Sequence, residues 1–240
     1  MGGRSDGRTR HERQWRKRAE TPRHVAKDRQ EPGPIAPDRL STLADGVFAI
    51  AMTLLVLELS VPAVSADELA EALAAMWPEF LMYALSLLVL GVYWLMHHMI
   101  FDSIDRHDPT LAWLNVTFLM FAALVPFATA LIVEHGAVRS TALLYGLDML
   151  AMFFTGWAMW TYAAAGHRLV ADSLDERLVR GARRMGVLYC VVLAVPLGLA
   201  FISPVTAMVV YGAVVSAFIG FTVAGRWETV TVWRGVSRRS

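Results

Sequence analysis

Long apolar runs alternate with short polar segments along most of the chain. The apolar runs cover about residues 43–59, 80–97, 111–133, 142–164, 185–202 and 205–224. A helix rises 1.5 Å per residue, so about 20 residues cross roughly 30 Å of hydrocarbon. The pattern therefore predicts an all-α integral membrane protein with six transmembrane helices. A soluble fold would have to bury all six runs with almost no polar face left for water.

Polar and turn residues mark the ends of these runs. Asp38-Arg39 precedes the first and Pro62 follows it. Ser65 and Glu68 have the spacing of a capping box, which predicts a helix starting near Ala66 and running past Pro78 into the second span. Pro126 and Pro196 fall inside the third and fifth spans, where neighbouring helices can satisfy the freed carbonyls. Ser203-Pro204 predicts a tight turn before the sixth. No repeat relates the first three spans to the last three.

Composition sharpens this picture once the charges are mapped. Apolar residues make up 56% of the 240 and charged residues 18%, with a formal net charge of +1. Of the 22 Lys and Arg, 11 lie in the first 39 residues, and only Arg139 falls in a loop on the opposite side of the predicted bundle from the other 21. By the positive-inside rule the 21 face the cytoplasm. An even number of spans then puts both termini there, in the plasma (inner) membrane. Residues 1–38 read as a disordered basic tail, 39–225 as the membrane domain and 226–240 as a basic C-terminal segment. The tail reads as a topology signal or as a contact with anionic membrane lipid, and no nucleic acid is expected. Cys190, the single cysteine, rules out an intrachain disulfide.

The first span carries the most pointed chemistry. At 100° per residue, Ile50, Leu54 and Leu57 fall within about 60° of one another with Thr53 beside them, and Asp45 lies about 140° away from Ile50. A carboxylate at that depth calls for donors on neighbouring helices. Trp94 and His97 near the end of the second span, and Asn115 near the start of the third, share its depth and are candidates for one buried polar cluster. Asp148 stands within the fourth span with no evident partner, which leaves function, a subunit interface and snorkelling open. His97 and His98 point about 100° apart and make no metal pair by themselves. No phosphate-binding loop, metal-ligand spacing or nucleophile elbow is present, so no enzyme activity and no bound cofactor are expected.

Arg39-x-x-x-Leu43-Ala44-Asp45 resembles the Arg-x-x-x-Phe-Ser-Asp signature of the transmembrane protein 175 family of potassium channels, departing from it at Leu43 and Ala44. The following Gly-Val-Phe-Ala-Ile-Ala-Met-Thr-Leu-Leu-Val-Leu-Glu is similar to its bacterial members. So are Trp94-x-x-His97-His98, Trp113-Leu-Asn115 and Leu-Val-Pro126-Phe-Ala-Thr-Ala. The likeness covers roughly residues 39–135. It implies a homotetramer of six-span subunits in which four copies of the first helix line a central pore. It further implies a hydrophobic constriction at Ile50, Leu54 and Leu57 and a selectivity role for Thr53. The permeant ion would be potassium. The polar cluster of Asp45, Trp94, His97 and Asn115, with Arg39 of the signature, is read from the residues themselves as a structural network.

The stretch between Gly46 and Asp105 has no Lys or Arg but holds Glu58, Asp67, Glu68, Glu71 and Glu79. Such an outer mouth concentrates cations. A proton-coupled secondary transporter or proton-conducting channel using Asp45, His97 and Asp148 is the alternative. The missing repeat and the lack of a broken helix pair at midplane count against the transporter form. A membrane enzyme or haem protein using His97 and His98 would need a further histidine at their depth in another span.

Overall fold

The computed structural model describes residues 37–170, 174 and 176–223. The basic tail up to residue 36 and the C-terminal segment 226–240 lie outside the described residues. The helices are α1 (Pro37–Leu54), α2 (Leu69–Ala75), α3 (Trp77–Phe101), α4 (Pro109–His135), α5 (Arg139–Ala164), α6 (Glu176–Leu199) and α7 (Pro204–Val223). Two short 3-10 segments, Leu55–Glu58 and Ala165–His167, continue α1 and α5. The described residues are all-helical apart from one isolated bridge pairing Ile104 with Val170.

Five stretches are long and apolar enough to cross a membrane: Arg39–Glu58, Trp77–Phe101, Pro109–His135, Arg139–His167 and Val179–Leu199. The apolar stretch of α7, Pro204–Gly220, is shorter. The chain is a multi-pass membrane protein. At 25 residues α3 is about 37 Å long, so its ends emerge from the hydrocarbon.

Proline places several of the helix starts. Pro37, Pro109 and Pro204 each open a helix, where the missing N–H costs no hydrogen bond and the fixed φ already suits the turn. α1 thus begins inside the segment read as tail. Pro78 acts differently. The expected continuous helix from Ala66 into the second span is interrupted at Met76, because the Pro78 ring excludes the carbonyl one turn earlier and offers it no donor. The predicted cap contact does form, with Ser65 Oγ donating to Glu68 Oε2 at 2.9 Å, but a turn over 66–68 delays the helix to Leu69. α6 starts nine residues ahead of the expected Met185, since hydropathy marks where lipid begins and arginine is a good helix former.

α5 is the central helix. Half of its apolar window is buried inside the protomer, against 28% for α1 and 17% for α6, and it packs on α3, α4, α6 and α7. Small residues let its neighbours approach. Gly186 of α6 leaves room for the Trp157 indole, and Gly146 receives the Tyr211 hydroxyl of α7; a Cβ at either would collide with those rings. Hydroxyls tie the interior together. Thr129 of α4 donates to Ser86 of α3 at 2.7 Å, Ser86 pairs with the Tyr145 hydroxyl of α5 at 3.3 Å, and Tyr93 of α3 donates to the Met149 carbonyl at 2.7 Å.

A polar staple closes the end of the bundle where α3 meets α4 and α5 meets α6. The N–H groups of Asp105 and Arg106 both donate to the Leu169 carbonyl, at 3.0 and 3.1 Å. Asp108 caps α4 by accepting from the Leu111 N–H at 2.9 Å, and also accepts from the Tyr162 hydroxyl at 2.5 Å. The Arg168 guanidinium lies 3.7 Å from the same carboxylate and 4.8 Å from the Tyr162 ring centre. Burial pushes the Asp108 carboxyl upward, but the Tyr162 hydroxyl, the Leu111 N–H and Arg168 outweigh it and hold it below the ordinary carboxylate range.

A depressed carboxyl stabilises the fold above its unfolded titration range, and that stabilisation fades as pH falls through the folded value. Asp108→Ala is therefore expected to lower the thermal unfolding midpoint at neutral pH, by a loss of about 1–2 kcal/mol for a cap with side-chain partners. The gap between variant and wild type should narrow on acidification. A gap that widens in acid, or no gap at neutral pH, contradicts this account.

Candidate functional site

α1 shows two faces of opposite character. Leu40, Ala44, Phe48, Ala51 and Leu55 recur every three or four residues and are all at most 4% exposed, packed on α3 and α4. About 120° round the helix, by the 100° step, lie Ile50, Leu54 and Leu57. These are 61%, 41% and 73% exposed, so the described residues of their own protomer leave much of each uncovered. Thr53 flanks them, also exposed, and its hydroxyl donates to the Ile50 carbonyl at 2.8 Å. The hydroxyl proton is thereby engaged, leaving the oxygen as a free acceptor.

The wheel that grouped these positions changes at Leu55. Over Leu55–Glu58 the helix tightens to 3-10 geometry, in which residues three apart eclipse. Leu57 consequently sits almost directly beyond Leu54 along the axis, closer in azimuth than an α-helix would place it.

The polar residues near the start of α1 form two separate units rather than one buried cluster. Asp45 is exposed and accepts from the Trp94 indole N–H at 2.8 Å, a bond strengthened by the carboxylate charge. The Trp94 ring lies 5.5 Å from that of His98. His97, at 1% exposed, is the buried unit. Its Nε2 meets Asn115 Oδ1 at 2.7 Å, and Asn115 Nδ2 donates to the Leu40 carbonyl at 3.4 Å. Three phenylalanines enclose it, with ring centres at 4.3 Å for Phe101, 5.4 Å for Phe118 and 6.4 Å for Phe48. Arg39 is exposed, and none of the other four network residues bonds to it.

Phe48, Phe118 and the Leu40 carbonyl are the participants that residue-type reasoning missed. The four-residue spacing of Leu40, Ala44 and Phe48 is the signal that would have identified the first and last of them.

At the opposite end of the bundle a crevice of about 630 Å³ opens beside Leu57. Its walls carry three carboxylates from different segments: Glu58, Glu79 and Glu134. Two of these belong to the acidic stretch read from the sequence, while Glu134 comes from the end of α4. Asp67, Glu68 and Glu71 do not line the crevice. Asp148 lies inside the protomer at 3% exposure, so neither a subunit interface nor snorkelling accounts for it. Among the described residues no group of histidines, cysteines and carboxylates is placed to hold a metal ion.

Known proteins resemble this chain in sequence and fold. The family model for the endosomal/lysosomal potassium channel TMEM175 matches residues 39–126, the stretch that holds α1, both polar units and most of α4. A potassium channel of Streptomyces collinus is 35% identical over 188 residues, which cover 76% of this chain and 91% of that one. A potassium channel of Chamaesiphon minutus is 37% identical over 147 residues, covering 59% of this chain and 72% of its own length. The crystal structure of a lysosomal potassium-selective channel TMEM175 homolog from Chamaesiphon minutus superposes with a TM-score of 0.67 at 30% identity, over 76% of this chain and 96% of that one. The family is one of ion channels rather than enzymes, and this chain belongs to the TMEM175 potassium channel family.

Proposed function

We propose that the chain is a potassium-permeable channel formed by four copies, each crossing the membrane six times, with α1 of each copy at the central axis. The observation that carries this reading is the stripe of Ile50, Leu54 and Leu57. It is apolar, turned away from its own bundle, and set on a helix whose other face is packed into the protomer. Relatives covered over most of their length are potassium channels, which supports the choice of ion. With 21 of the 22 basic residues on one side, both termini face the cytoplasm of the inner membrane. No bound cofactor is needed; potassium is the permeant species.

Rings of isoleucine and leucine around an axis make a dewetting constriction, which opens by widening or hydrating. An ion passing it sheds part of its water. Potassium holds that water less tightly than sodium, so the constriction favours potassium. Thr53, its proton committed to the Ile50 carbonyl, presents oxygen lone pairs that replace some of the lost ligands. Glu58, Glu79 and Glu134 raise the cation concentration at the outer end. At the inner end Asp45–Trp94 and the His97–Asn115–Leu40 relay clamp α1 to α3 and α4, fixing the rotation that aims the stripe.

Potassium flux from protein reconstituted in liposomes tests the pore. Ile50→Asn and Leu54→Ala should each raise flux several-fold, and the flux should persist without a proton gradient. Thr53→Val should reduce the preference for potassium over sodium while total flux remains. Wild-type flux and selectivity in all three variants would remove α1 from the pore, and a fixed proton stoichiometry would point to a carrier.

The clamp is tested by a double-mutant cycle. Asn115→Leu alone leaves the buried His97 nitrogen without a partner and should destabilise by about 1–3 kcal/mol. His97→Phe with Asn115→Leu should recover much of that loss, as read by thermal unfolding. Additive losses would mean that the two residues do not act together.

A further inference from the structure

The channel reading leaves one buried charged group without a task. Asp148 is 3% exposed, and neither carboxylate oxygen has a hydrogen-bond partner. It lies one turn beyond Tyr145 on the face of α5 turned into the protomer. The titratable groups gathered there are Tyr145 on its own helix, Tyr93 of α3, Tyr211 of α7 and Cys190 of α6. α4 contributes hydroxyls and apolar groups, with Thr129 already bonded to Ser86. None of these is a cation. The one basic residue on α5, Arg139, stands nine residues away, about 13 Å along the axis, and donates to the Phe201 carbonyl.

The neighbouring hydroxyls do not make up the deficit. Tyr93 gives its proton to the Met149 carbonyl and Tyr145 pairs with Ser86. Of the tyrosine hydroxyls gathered here, that of Tyr211 is buried and without a partner. A bare carboxylate in such surroundings costs several kcal/mol, more than one hydroxyl offsets. The space available is small. A cavity of about 20 Å³ lined by Tyr93, Tyr145, Met149 and Tyr211 lies nearby, but Asp148 is not in its wall and its lining exposes no polar surface, so it offers no set of oxygen ligands for a metal ion.

We propose that Asp148 binds a proton inside each protomer, away from the α1 stripe. The bound proton neutralises the carboxylate and lets α3, α5 and α7 pack around it. Tyr93, which ties this region of α5 to α3, directly precedes Trp94, the residue bonded to Asp45 of α1. The loaded site therefore supports the stretch of α3 on which the start of α1 is anchored.

Infrared difference spectroscopy on the full chain in lipid tests this without measuring flux, so the outcome is separate from that of the channel reading. A carboxylic-acid C=O band present near neutral pH, lost in Asp148→Asn and indifferent to exchange of sodium for potassium, identifies the ligand as a proton. A carboxylate band that shifts on that exchange and disappears in Asp148→Asn shows an alkali ion in the proton's place and overturns the proposal. If Asp148→Asn does not fold, Asp148→Glu, which keeps the carboxyl but displaces its band, assigns the same bands. A wild-type spectrum with no aspartic-acid band overturns it as well.

Discussion

Phe48 fills the contact between three helices, with its ring against His97 of α3 and Phe118 of α4. Its burial decides which way α1 can turn. A helix has one rotational setting at which Leu40, Ala44, Phe48, Ala51 and Leu55 all leave solvent, and that setting drives Ile50, Leu54 and Leu57 outward. The outward stripe is thus a geometric consequence of inward packing. Any assembly of the chain inherits it, because turning the stripe back would expose the phenylalanine and strip His97 of one wall.

Much of this was legible in the amino-acid order because hydrocarbon is a simple solvent. Residues with nothing polar to offer for about 20 positions have few folds open to them, and the six apolar runs map onto helices α1 and α3 to α7. Helix ends were less legible where lipid and helix stop at different residues. At α6 the arginines left the membrane while the backbone stayed helical. At Met76 a proline acted one turn upstream of itself, an effect absent from any hydropathy profile. The expected meeting of Asp45 with His97 and Asn115 did not occur as a single cluster because equal depth says nothing about azimuth. Asp45 projects to the side that reaches Trp94, whereas Asn115 reaches the backbone of Leu40.

The interior divides its polar groups between two jobs. Towards the start of α1, charge and ring stacking orient a helix. Deeper in, hydroxyls of Ser86, Thr129 and Tyr145 stitch α3, α4 and α5 together in neutral bonds that cost little to bury once paired. The Asp108 staple belongs to neither group. It lies beyond the helices' apolar lengths and joins two loops that the helices alone would leave free to move.

The short 3-10 stretch after α1 has a mechanical side. Four residues wound at three per turn are about 2 Å longer than the same four in an α-helix and about 80° further advanced. A return of Leu55–Glu58 to α geometry is therefore a screw motion. It draws Glu58 inward along the axis while swinging its carboxylate a fifth of a revolution or more around it, with the packed part of α1 left where it is.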